Sequence, residues 1–190
     1  MTDEIPGSVE RRRGRRPALD LDRVVTAAVE LADAEGMAAV SMRRLARELG
    51  VAPMTLYGHV PGKGELADLM HDAVLAELYR DGEPAGNWRA RLDTVARANF
   101  QLFRRHPWAV DLAGGRPPPG PHAKRKREIE LRAVGGLGLS DVQMELLIAL
   151  VNGFVRSVPA AASDEPAQFF EFGLERLLDG IGVLILDASR

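Results

Sequence analysis

The chain of 190 residues contains no cysteine. That absence removes disulfide frameworks, thiolate nucleophiles, cysteine-ligated zinc and iron–sulfur clusters together. Long apolar runs are also missing. The longest are pieces such as 183–186 and 146–151, far short of the roughly 20 residues that span a bilayer. Acidic Asp3 and Glu4 and the lack of an apolar stretch behind them exclude a secretory signal, so a cytoplasmic location is expected. No segment alternates apolar and polar residues over a useful length, which excludes strands and makes the chain all-α. The four histidines, His59, His71, His106 and His122, are too dispersed for a metal site, and no phosphate-binding glycine motif is present. Glu30, Asp33 and Glu35 are close together but fall on the solvent side of the first helix. An enzyme is therefore poorly supported, and neither metal nor cofactor is expected.

What is present is 46% hydrophobic residues, enough at this length to bury roughly 70% of the surface of the unfolded chain. The formal net charge of -2 argues at first against a nucleic-acid partner, yet the average hides an uneven distribution. Arg11, Arg12, Arg13, Arg15 and Arg16 put five positive charges into six positions. Residues 1–17, polar and closed by Pro17, read as a disordered basic arm. Such a run is either a solvated tail or an arm that follows the phosphate backbone or enters the minor groove; its attachment to the first helix favours the arm.

Helical spacing recurs from there to the C-terminus. A first helix starts at Asp20, stapled by Leu19 and Val24, and ends at Glu35-Gly36. A second runs from Ser41, a good N-cap, to Gly50. Pro53 opens a very short third helix through His59, and a longer segment covers about 63–79. Further helices are expected at about 88–106, 122–134, 141–158 and 166–186, separated by glycine- and proline-rich breaks.

The stretch Ser41-Met-Arg-Arg-Leu-Ala-Arg-Glu-Leu-Gly-Val-Ala-Pro-Met-Thr-Leu-Tyr-Gly-His-Val60 is a helix, a tight turn at glycine, and a short helix. That is the helix-turn-helix arrangement. Leu45, Leu49, Val51, Leu56 and Val60 can form its shared core, and Gly50 supplies the left-handed turn. Pro53, Met54, Thr55, Tyr57, Gly58 and His59 are not needed for that core and are types that touch thymine methyls, base edges and phosphates. A two-turn helix is too short to be stable for its own sake, and its exposed face lacks the Lys and Glu of a solvated surface.

These residues resemble the TetR family of bacterial transcriptional regulators. The matching segments are Leu45-Ala-Arg-Glu-Leu-Gly-Val51, Thr55-Leu-Tyr-Gly-His-Val60, then Lys63 and Leu66, preceded by Ala34-Glu-Gly36. The His-Val pair looks close to the tetracycline-repressor branch. The resemblance covers about residues 18–70 and implies a three-helix DNA-binding domain at 18–66, a connecting helix at about 63–79, and an effector-binding and dimerisation domain over 67–190. It places Arg43 as a guanine reader and Pro53, Met54, Thr55 and Tyr57 at recognition positions. His59 and Lys63 fall at the backbone-contact end. Ser41, Arg44 and Gly58 complete the expected DNA-facing set, although Gly58 departs from the large aromatic of that branch, so the operator sequence does not transfer.

The last two helices are apolar almost all round, which demands burial on both sides. On one of them Val142, Leu146, Ala149, Leu150 and Phe154 form one side, and Met144, Leu147, Ile148, Val151 and Val155 another. A two-fold homodimer through a four-helix bundle is expected, with Leu146, Leu150, Gly153, Phe154, Phe170, Leu174, Leu177, Leu178 and Ile181 at the interface. Two-fold symmetry then calls for a near-palindromic double-stranded operator with half-sites about 34 Å apart or a multiple of that distance. In the helix from Trp88, Asn99 sits within an apolar stripe. Together with Phe100, Phe103, His106, Trp108 and Met144 it marks a candidate cavity for a largely apolar small-molecule effector, although a structural hydrogen bond fits Asn99 at least as well and His106, just before Pro107, fits a C-cap better than a ligand group. Lys124 to Arg127 read as a solvated face offset by Lys124 with Glu128 and Lys126 with Glu130. The expected function is a ligand-responsive repressor; the alternative is a DNA-binding protein without a small-molecule sensor, acting through architecture or a protein partner.

Overall fold

The computed structural model describes residues 19–114, 119–158 and 165–188, and among these every regular element is a helix. The basic arm expected at residues 1–17 lies outside the described residues. Three helices form the N-terminal head: α1 (Leu21–Glu35), α2 (Met42–Leu49) and α3 (Pro53–Tyr57). Their ends are set by local chemistry. The Asp20 carboxylate accepts from the Arg23 N–H at 2.8 Å, and the Ser41 hydroxyl accepts from the Arg44 N–H at 3.2 Å. Gly50 adopts the left-handed conformation at φ 67°, letting the Val51 N–H reach back to the Ala46 carbonyl at 2.9 Å. Val24, Ala28, Val40, Leu45, Leu56 and Val60 are fully enclosed between the three helices. Truncating one of the leucines to alanine is expected to cost about 2–5 kcal/mol.

The head joins the body through α4 (Lys63–Leu75), which packs on α1 at one side and on α7 (Pro121–Ala133) at the other. The expected helix to residue 79 ends four residues early. Successive N–H groups of Ala76, Glu77 and Leu78 bond back three residues rather than four, and Tyr79 takes a positive φ of 58°. The freed carbonyls of Leu78 and Tyr79 accept from the Arg125 guanidinium at 3.1 and 3.2 Å. This turn carries the Tyr79 ring inward, where it is buried.

In the body, α5 (Trp88–Arg105) is central and touches α7, α8 (Asp141–Ser157) and α9 (Glu165–Ala188). A short helix that the sequence pattern did not signal, α6 (Ala109–Ala113), packs on α4. Five residues are too few to display a period. The Phe100 and Phe170 rings stack at 4.1 Å between α5 and α9. At Gly173 any Cβ would collide with the Phe154 ring, so glycine sets how closely α9 approaches α8.

Candidate nucleic-acid interface, cavity and subunit face

The outer face of α3 is what the helix-turn-helix core leaves over. Leu56 is its one buried residue, while Pro53, Met54, Thr55, Tyr57, Gly58 and His59 are exposed, Met54 at 77% and Tyr57 at 46%. Nothing in the fold requires apolar Met54 on the surface, and no ionised carboxylate lies on this helix to repel phosphate. Ser41 and Arg43 are exposed beside it at the start of α2. Lys63 opens α4 and donates to the Met37 carbonyl at 3.3 Å. Arg44, expected among the DNA-facing residues, is held by carboxylates of its own chain. Its guanidinium donates to both oxygens of Glu35, at 2.8 and 3.2 Å, and to Glu48 at 2.8 Å, which ties α2 to the end of α1.

A cavity of about 450 Å³ opens between α4, α5, α7 and α8. Of the six residues expected around an effector, Asn99 and Phe103 line it. The others are elsewhere. Phe100 is taken up by its stack on Phe170, and Met144 packs on the core outside the cavity. Trp108 donates its indole N–H to Asp33 at 2.6 Å. His106 has one ring nitrogen 2.8 Å from Asp33 and the other 3.1 Å from Glu77, so it bridges the head and the turn after α4. Asp33 is exposed, as expected, and is also an interdomain contact. Desolvation works against the Glu77 carboxylate, but hydrogen bonds from His106 and Arg105 outweigh it and hold the group below the usual carboxylate range.

The floor of the cavity is a residue that the sequence marked only as the partner of Lys126, a pairing the structure keeps. Glu130 is 1% exposed and accepts four donors. They are the Tyr79 hydroxyl at 3.0 Å, Asn99 at 2.8 Å, Asn152 at 3.0 Å and the Lys126 ammonium at 2.8 Å. Burial opposes ionisation, but the Lys126 charge and these hydrogen bonds prevail and keep the carboxyl below its ordinary value. Lys124 to Arg127 are therefore not simply a solvated face. Lys124 is, with Glu128 at 3.9 Å, but the Lys126 side chain is mostly buried on Glu130. Only the four-residue spacing of Lys126 and Glu130 was visible in the sequence. Nearby, burial and Lys126 push the His71 imidazole below its ordinary value, despite Asp68 and Asp72.

His71 and Leu75 bring α4 into the cavity wall, and Asp72 ties the same helix to α7. Its carboxylate accepts from the Ala123 N–H at 2.8 Å, capping α7 from a different helix. Gly120 is required there, because a Cβ would overlap the Asp72 carboxylate.

A third surface lies on α8 and α9. Val142, Leu146 and Leu150 are exposed at 67, 64 and 53%, and Gly153 continues the same stripe with nothing within 4 Å of its Cβ position. Phe169, Phe172, Val183 and Leu184 are exposed on α9. Single protomers rarely leave so much large apolar surface open. Of the expected interface, Phe170, Leu174, Leu178 and Ile181 are buried within the protomer, since α9 spends that side on α5 and α8. Phe154 and Leu177 are half-buried, Phe154 against Phe169 and Phe170. Among the described residues, no helix is long and apolar enough to cross a membrane.

The fold is thus a helix-turn-helix head with an uncharged outer face on α3, carried on a separate helical body with a cavity. Residues 24–70 match the pattern described as bacterial regulatory proteins, tetR family, and residues 82–158 match the tetracyclin repressor-like C-terminal domain. The chain belongs to the TetR family. The transcriptional repressor DrrR1 of Streptomyces coeruleorubidus is 46% identical over 144 residues, covering 75% of this chain and 53% of that protein. The chain thus spans about half of that relative's length. The structure of ActR from Streptomyces coelicolor in complex with actinorhodin superposes with a TM-score of 0.76 at 27% identity, covering 91% of this chain and all of ActR. BioQ bound to its double-stranded DNA operator superposes at 0.71 with 30% identity, over 87% of this chain and 99% of BioQ.

Proposed function

We propose that the protein is a homodimeric transcriptional repressor that holds a near-palindromic operator through α2 and α3 and releases it when a small molecule occupies the cavity in the body. The observation that carries this reading is the exposed, uncharged face of α3 on a head whose core needs none of those residues. Arg43 and Tyr57 read base edges, His59 and Lys63 hold the backbone, and the arginine-rich arm adds sequence-independent attraction. The apolar stripe of Val142, Leu146, Leu150 and Gly153, with the exposed side of α9, forms the subunit contact. DrrR1 is named a repressor, BioQ was solved with operator DNA and ActR with a small molecule, and these properties support the same reading here.

Signal passes through α4, which lines the cavity with His71 and Leu75, caps α7 with Asp72 and packs on α1. Coupling of about 1–3 kcal/mol, a 5- to 150-fold loss of operator affinity, is the expected scale. The test uses an operator selected from random duplexes by the full chain, followed by fluorescence anisotropy. Tyr57→Ala and Arg43→Ala are expected to abolish specific binding while light scattering still reports a dimer. Retained specificity in both variants would overturn the assignment of the reading face.

A further inference from the structure

Residues 76–79 leave α4 against the preference of their own sequence. Ala76, Glu77 and Leu78 are good helix formers, and beyond α4 no glycine stands before Gly82 and no proline before Pro84 to stop the helix. Yet three successive N–H groups bond back three residues instead of four, and buried Tyr79 sits at φ 58°. Glycine takes that left-handed conformation freely, whereas an aromatic residue keeps it only when its surroundings hold it there. The hold is tertiary. Arg125 donates to the carbonyls of Leu78 and Tyr79, Arg80 closes on the Ala76 carbonyl at 3.1 Å, and the Tyr79 hydroxyl donates to Glu130 at 3.0 Å. A segment whose local preference opposes its tertiary contacts has two backbone states within reach.

These residues also face both ends of the molecule. Inward, the Glu130 carboxylate that holds Tyr79 lines the cavity and accepts from Asn99, which lines it too. Outward, Glu77 accepts from Arg105 at 3.0 Å and lies 3.1 Å from His106, whose other ring nitrogen is on Asp33 of the head. A 3₁₀ step turns the chain about 120° and an α step about 100°. Winding residues 76–79 on as α-helix therefore turns Glu77 off His106 and redirects the Tyr79 ring away from Glu130.

Resting on the regulator reading above, we infer that residues 76–79 are a two-state switch with Tyr79 as its positioning residue: the turned state, latched to the head through Glu77 and His106, binds operator, and the state in which α4 winds on releases it. Two half-sites at a fixed separation require heads held in a fixed orientation, which the latch provides. An occupant that draws the Glu130 carboxylate toward the cavity takes it off the Tyr79 hydroxyl, and the helix preference of the segment then prevails.

The test is operator affinity, by fluorescence anisotropy, in variants that favour one state or the other. Tyr79→Gly and Tyr79→Ala lose the same ring and hydroxyl, but glycine accepts the left-handed turn and alanine favours the helix. Tyr79→Ala is expected to bind operator about tenfold more weakly than Tyr79→Gly; equal affinities would reduce Tyr79 to a packing residue and overturn the switch. Arg125→Met removes the donor to both turned-out carbonyls without changing the cavity lining, so it decides the matter even if truncating a buried tyrosine prevents folding. It is expected to weaken operator binding about tenfold. Tyr57 and Tyr79 are the only tyrosines, so in protein labelled with 3-fluorotyrosine the fluorine resonance of Tyr79 reports the turn directly, and Arg125→Met is expected to move it. An unmoved resonance, or unchanged operator affinity, would overturn the switch. A wild-type protein that selects no operator would instead be a failure of the regulator reading.

Discussion

The head and the body place function on opposite sides of their packing. In the head the core is entirely apolar, and the groups proposed to read DNA are ones that α2 and α3 leave outside: Arg43, Met54, Thr55, Tyr57 and His59. In the body the functional groups are inside, around a carboxylate with four donors drawn from three helices and the turn after α4. A reading surface must be reachable by a rigid duplex, so it tolerates no burial. A small-molecule site must exclude water to gain affinity, so it accepts the cost of buried polar groups and satisfies them one by one.

That contrast can be broken most sharply at Glu130. Glu130→Ala leaves Lys126, Asn99, Asn152 and Tyr79 without their common acceptor, and breaking a buried ionic network of this kind costs about 3–5 kcal/mol. Urea unfolding should show a large drop in midpoint. A loss below 1 kcal/mol would mean that the network is not the keystone of the body. The head should be less sensitive, because its polar interactions are local and exposed. Ser41→Ala removes one cap of α2 and should cost about 1 kcal/mol in the same measurement. The smallest expected effect separates the two regions by pH. His71 in the body sits below its ordinary value of 6.5, so as pH falls through that value the unfolded chain takes up a proton that the folded protein refuses. Stability should fall from there down to the folded-state value, and His71→Asn should flatten that part of a stability–pH profile. An unchanged slope would show that the imidazole is not desolvated.

The same contrast explains what was legible. Caps, the turn at Gly50 and the Pro53 start are signals separated by two or three residues, so α1, α2 and α3 and their outward residues could be read directly. The ion pair of Arg44 was not legible, because its carboxylate partner Glu35 belongs to the preceding helix. The partners of Glu130 are 22, 31 and 51 residues away, apart from Lys126, and no periodicity encodes such a meeting. The two apolar sides of α8 were visible as a pair. Which one the protomer keeps for itself depends on α5, which takes Leu147, Ile148, Val151 and Val155 inward and leaves Val142, Leu146 and Leu150 outside. His106 caps the end of α5 as expected, its N–H bonding back to the Leu102 carbonyl, and its ring is held by Asp33 and Glu77, which no spacing in the sequence signals.

That imidazole gives the molecule a fulcrum. Asp33 belongs to the head and Glu77 follows the last turn of α4, so His106 pins both at one point while α4 runs on as a lever of about 20 Å from the cavity wall to the base of the head. In the regulator proposed above, a displacement of α4 at His71 would be taken up as tilt about that point. In a two-fold dimer the rotation axis repeats that tilt in the partner, so the separation of the reading helices would change by the sum of two equal contributions.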